Sequence, residues 1–239
     1  MTKPNKPTLA AAVILLRHAE QNDFEVFLIR RPEGMPFLGG KYCYPSGAVR
    51  EEDFAAPMID RCSGLTPTQA RDILGAHLSP REALGVWVAA VRELFEEVGV
   101  LLAVEESGAP LHLDGERVGR LAKQHQALLN QVLSFRDLLE AEKLLCDLSG
   151  LSYFSTWQTP AHISLRFNTR FFVAALPPGQ ARLATSRESA HGVWLTPDHA
   201  MQLIDRGELP LIFPTFAALR TLADFDTLES VLREYRVGR

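Results

Sequence analysis

The sequence predicts an α+β fold or a mixed-sheet α/β fold rather than a doubly wound one, and three observations carry that prediction. Runs rich in β-branched and aromatic residues open the chain and return in its last third. One long, fully capped helical pattern lies between them. Strand and helix patterns do not alternate regularly, as a doubly wound parallel sheet requires.

LAAAVILLR (9–17) and FEVFLIRR (24–31), separated by the polar HAEQND, read as paired strands. The next stretch, PEGMPFLGGKYCYPSGAV, is dense in Gly and Pro and reads as a framing loop, with KYCY a short extended piece. SGLTPTQARDIL begins a short helix, Thr66 being the N-cap and Pro67 its first helical residue. SPREALGVWVAAVRELFEEVG makes a long helix: Ser79 caps it, Glu82 completes a capping box and Gly99 stops it. Its Leu84, Val88, Val91, Phe95 and Val98 recur at helical spacing and predict a core-facing stripe. Residues 116–146 read as helical in one or two segments, with Leu121, Leu128, Val132, Phe135, Leu138 and Leu139 as apolar positions. SYFSTWQ, SLRFNTRFFVAAL and HGVWLTP then read as strands, and DHAMQLIDRG and TFAALRTLADF as helices.

With 239 residues, 46% hydrophobic, the chain suits a single elaborated domain over residues 1–239. A net charge of −4 without a Lys/Arg cluster argues against nucleic acid as a partner. Cys43, Cys62 and Cys146 form no CxxC pair and read as free thiols in a reducing compartment. MTKPNKPTLA lacks an apolar h-region, and no run approaches the ~18 apolar residues that would span a bilayer. A cytoplasmic protein without a membrane partner is expected.

The long helix contains an electrostatic conflict. In RELFEEVGV (92–100), Glu93, Glu96 and Glu97 stand at i, i+3 and i+4, so like charges crowd one face at roughly 0.2–0.5 kcal/mol per pair. They also occupy the last two turns, where the helix dipole disfavours negative charge. No Lys lies between Gly85 and Val104, and Arg92 is the one basic residue there. A solvated acidic face is the ordinary reading of such a cluster. Here a hard cation such as Mg²⁺, which takes carboxylate oxygens and substrate phosphates, is the natural compensation.

RELFEEVGV resembles the second half of the Nudix hydrolase box, Arg-Glu-apolar-x-Glu-Glu-x-Gly-apolar, at every specified position. The first half is missing where a contiguous box would have it, since Leu84 and Leu78 stand at the glutamate and glycine positions. Upstream, YPSGAVREED supplies Gly47 and, after five further residues, Asp53 in place of Glu. Residues 54–91 then fill a slot of seven, an insertion of roughly thirty that loop-closure entropy tolerates. Such a split box resembles the Nudix subgroup that includes peroxisomal coenzyme A diphosphatases. WQTP (157–160), RFNTRFF (166–172) and WLTP (194–197) are similar to further elements of that subgroup.

The resemblance implies an α/β/α Nudix sandwich with helical insertions at about 54–82 and 115–148, and a hydrolase dependent on Mg²⁺ or Mn²⁺. It implies Glu93, Glu96 and Glu97 as metal ligands, with the Gly47 carbonyl a further one, and Arg92 orienting the carboxylates. Asp53 would support the junction between loop and helix. Glu188, six residues before Trp194, is the candidate for an additional ligand or a base. Arg166 and Arg170 share a strand face with Asn168 and are candidates to grip a diphosphate; an exposed strand face is the plain alternative. Arg31, beside the Gly-rich loop, is another candidate phosphate contact.

The expected substrate is a small-molecule nucleoside diphosphate linked to a second group. A coenzyme A signature keeps Leu28, Arg31 and Gly40 in register but has Pro32, Pro36, Tyr44 and Ser46 at other signature positions. Coenzyme A, ADP-ribose, nucleotide sugars and dinucleoside polyphosphates therefore stay open, as does a homodimer. A Nudix-fold binding or sensor module without turnover is the alternative; the intact box glutamates favour the enzyme.

Overall fold

The computed structural model describes residues 6–19, 23–35, 38–180 and 192–236. Its central sheet is mixed. β1 (Thr8–His18) pairs antiparallel with β2 (Phe24–Arg30) near one end and with β4 (Ser46–Ala48) near the other, while β3 (Tyr42–Cys43) pairs antiparallel with the end of β2. A short 3₁₀ turn (Glu51–Phe54), α1 (Ala56–Ile59), β5 (Cys62–Ser63) and α2 (Pro67–Leu74) follow. Then come α3 (Pro80–Val98), β6 (Ala103–Glu105), α4 (Gly115–Leu129), α5 (Phe135–Ala141) and β7 (Leu144–Asp147). β8 (Leu151–Gln158), β9 (Phe167–Ala175) and β10 (Gly192–Leu195) return to the main sheet, and α6 (Pro197–Asp205), α7 (Phe213–Leu222) and α8 (Leu228–Glu234) close the chain. The path across the main sheet is β10-β2-β1-β9-β8, in which β1 and β9 run parallel.

Alternation along β1 builds two cores. Ala11, Val13 and Leu15 face α3, whereas Ala12, Ile14 and Leu16 face α6, α7 and α8. The result is the α+β sandwich of three layers, a sheet between helices.

The caps form as the sequence predicts. Thr66 and Ser79 each make a capping box, with Gln69 and Glu82, and Gly99 takes the left-handed conformation (φ 79°) that ends α3. The predicted stripe on α3 is only part of the picture: the helix is buried on every side from Ala83 to Glu96. The sheet covers one side, and Ala70, Leu74, Leu121, Leu128, Phe135, Leu138 and Leu139 from α2, α4 and α5 cover the other.

Two expectations are corrected. The helical reading of 116–146 ends too late, because Leu144–Asp147 is a strand in a second small sheet, β5-β7-β6. Val132 is 80% exposed, since it lies in the turn after α4 rather than on a helix face. Among the described residues no helix is long and apolar enough to cross a membrane.

Candidate active site

The two halves of the split motif meet at a buried arginine. Arg92 donates from Nε and one terminal nitrogen to the two oxygens of Asp53, at 2.8 and 2.9 Å, across 39 positions of sequence. The same guanidinium reaches Glu93 at 2.5 Å, Glu96 at 3.2 Å and the Ala48 carbonyl at 3.0 Å. Burial pulls the Arg92 pKa down, but Asp53, Glu93 and Glu96 outweigh it and hold the group charged. Asp53 also accepts from the Arg50 N–H at 2.8 Å, which fixes the 3₁₀ turn against α3.

β4 brings its backbone to the glutamates. The Ser46 N–H donates to Glu97 at 2.7 Å. A Cβ built on Gly47 would lie 2.1 Å from the Glu93 carboxyl carbon, so no other residue fits without moving that carboxylate. Burial pushes the Glu93 pKa up, opposed by Arg92.

Arg50 is a site residue the sequence reading did not single out. Its fork donates to both oxygens of Glu96 at 3.0 Å each and lies 3.8 Å from Glu93. Burial and the Arg92 charge lower its pKa, yet Glu96 and Glu93 raise it further than they lower it. Position in GAVREED is the one signal that pointed to it. His125 was likewise not singled out. Its Nε2 lies 2.9 Å from the Glu96 carbonyl, one of the orphan acceptors in the last turn of α3, and so must donate there.

Among the described residues no three His, Cys, Asp or Glu side chains form a ready ion cage, because Arg50 and Arg92 separate Glu93 and Glu96. The donor chemistry nevertheless fits a hard divalent cation. Asp53, Glu93 and Glu96 meet two guanidinium groups, Glu97 accepts from the Ser46 N–H beside them, and the candidate ligand atoms are carboxylate oxygens.

A cavity of about 890 Å³ opens beside β4. Arg31, Ser46 and Gly47 line one part of it; Trp157, Phe167, Phe171 and Phe213 supply apolar wall. Arg31 also hydrogen-bonds the Cys43 thiol, which burial pushes up to about 12. The other two predicted arginines lie elsewhere. Phe167, Thr169 and Phe171 face the cavity, so Asn168 and Arg170 face the α3 layer, while Arg166 lies just before the strand. Arg170 is held there by Asn168 at 2.5 Å and His77 at 2.8 Å, and Arg166 donates to the Thr159 carbonyl at 3.3 Å. Neither lines the cavity, and the expectation that they grip a diphosphate gains nothing from this placement. Glu188 lies outside the described residues.

Residues 6–222 match the NUDT19 Nudix domain. The chain is 22% identical over 246 residues to the acyl-coenzyme A diphosphatase NUDT19 of Xenopus laevis, covering 91% of this chain and 64% of that protein. The Gallus gallus protein of the same name is 25% identical, covering 87% of this chain and 64% of its own length. The chain thus spans less than two thirds of these curated relatives. A crystal structure of a Nudix hydrolase from Alicyclobacillus acidocaldarius superposes with a TM-score of 0.75 at 26% identity, covering 98% of this chain and 99% of the other. Fold, split motif and profile agree, and the chain belongs to the NUDT19 Nudix domain family of Nudix hydrolases.

Proposed function

We propose that the protein is a Mg²⁺- or Mn²⁺-dependent hydrolase that cleaves the diphosphate of a coenzyme A-type substrate carrying a long, largely apolar arm. The observation that carries this reading is the cavity, which joins Arg31, Ser46 and Gly47 to an apolar wall. Its volume suits a small-molecule ligand. ADP-ribose and nucleotide sugars present a polyhydroxylated second half, which such a wall would desolvate without hydrogen bonds. The names of the Xenopus laevis and Gallus gallus relatives agree with the coenzyme A reading.

In this reading Glu93, Glu96 and Glu97 hold the divalent cation, with the Gly47 carbonyl beside them. Bound there, the ion would neutralise the diphosphate and acidify a water. Arg92 keeps the Glu93 and Glu96 carboxylates in place, and Asp53 keeps Arg92 in place. Arg31 faces the diphosphate as a bidentate donor. The aromatic wall excludes water from the arm and orients the scissile bond toward the glutamates.

The test is a release assay for phosphomonoester on metal-stripped protein, with Mg²⁺ or Mn²⁺ added back. Coenzyme A, acyl-coenzyme A esters, ADP-ribose and a nucleotide sugar are the substrates. Coenzyme A compounds should be cleaved only with metal, and Glu97→Gln should lower kcat at least about 100-fold with an unchanged melting curve. Normal turnover in Glu97→Gln, or a preference for ADP-ribose, overturns the reading.

A further inference from the structure

The two arginines at the glutamates are held very differently. Arg92 is wholly buried and pinned by both oxygens of Asp53, so it is a fixed part of the frame. Arg50 has its backbone tied to Asp53, but its side chain is 46% exposed and enters the cluster from the solvent side. Its fork takes both oxygens of Glu96, the bidentate geometry that suits a carboxylate best. A hard cation using Glu96 as a ligand needs oxygen lone pairs that this fork engages. A second seat is within reach: Glu52, an exposed carboxylate on the 3₁₀ turn, already lies 3.4 Å from the Arg50 terminal nitrogen.

We propose that Arg50 is a displaceable internal counter-cation. It screens Glu93 and Glu96 from each other, competes with the divalent ion for Glu96, and leaves toward Glu52 when the ion binds. This rests on the metal-site reading above and assigns a role to a residue outside the specified positions of the motif. The physical basis is that two cations sharing one carboxylate repel each other, so the gain of either is reduced by the presence of the other. Arg50 thereby sets the metal concentration at which the site fills.

The experiment compares wild type, Arg50→Gln and Arg50→Lys after metal removal, measuring Mn²⁺ binding by calorimetry and melting temperature with chelator and with saturating Mn²⁺. Arg50→Gln should bind Mn²⁺ on the order of five- to ten-fold more tightly. It should melt lower than wild type in chelator and close to wild type in Mn²⁺. Arg50→Lys, a point charge that cannot engage both oxygens at once, should fall between the two and serves alone if Arg50→Gln does not fold. Equal or weaker Mn²⁺ binding in both variants overturns the proposal while leaving the metal site standing. No Mn²⁺ binding by any of the three proteins overturns the metal site and the proposal together. Tighter binding in Arg50→Gln, with no diphosphate cleaved by wild type, supports the proposal and overturns the catalytic reading instead.

Discussion

Asp53 and Arg92 illustrate how a single pair can hold a motif together after an insertion has divided it. Both are buried, and the bidentate contact between them is the fully buried link from the loop to the glutamate helix, beside the half-exposed Arg50–Glu96 pair and the Ser46–Glu97 hydrogen bond. A buried pair of this kind contributes little over a well-packed apolar pair, but losing one partner leaves an uncompensated charge. Asp53→Asn should therefore cost about 3–5 kcal/mol in urea denaturation. It should also weaken Mn²⁺ binding, because Arg92 would no longer be fixed against Glu93 and Glu96. A variant within ~1 kcal/mol of wild type would mean that the Ala48 carbonyl and the glutamates suffice to hold Arg92, and the clamp argument would fail.

The inserted helices act on the same glutamates from behind, and α4 does so through His125. Its ring packs edge-on against Phe95, with centroids 4.9 Å apart, while its Nε2–H meets the last-turn carbonyl of Glu96. His125→Ala leaves that carbonyl unpaired and opens a void, a loss of about 2–4 kcal/mol by thermal or urea unfolding. Unchanged stability would show that α4 merely lies over α3. Such contacts explain what the sequence could and could not reveal. Caps at Thr66, Ser79 and Gly99 are local chemistry and were legible, as were the glutamates, whose spacing within one helix defines their shared face. Leu144–Asp147 was not, because its short apolar run is equally helix-like until β5 and β6, remote in sequence, pair with it. Arg166 and Arg170 mark a different limit: alternation puts them on one face, but it does not say which layer that face meets. Arg50 and His125 act across 46 and 29 positions, distances over which a single sequence carries no pairing signal.

The cavity belongs to the assembled layers rather than to any one element. On the face of β1 toward the C-terminal helices, Ile14 and Leu16 fill the core, whereas Ala10 and Ala12 are too small to do so. Beside them in parallel register, Thr169 and Phe171 of β9 continue the same surface, and Phe213 at the start of α7 faces it from the other layer. Space is left where the side chains shrink, adjoining the strand that carries Gly47. If the apolar arm of the substrate lies there, narrowing the cavity should act on that arm alone. Thr169→Phe suits the test, since position 169 is half-buried, lines the cavity and belongs to a strand that accepts an aromatic residue. Losing one or two methylene contacts is worth about 1–3 kcal/mol, so kcat/KM for a long-chain acyl-coenzyme A should drop roughly 10–200-fold. Free coenzyme A should lose less, and Mn²⁺ affinity should not change because the glutamates lie on the α3 side of β4. Equal losses for long and short arms would show that Thr169 disturbs the shared diphosphate site. An unchanged profile would place the arm outside the cavity and remove the observation on which the substrate assignment stands.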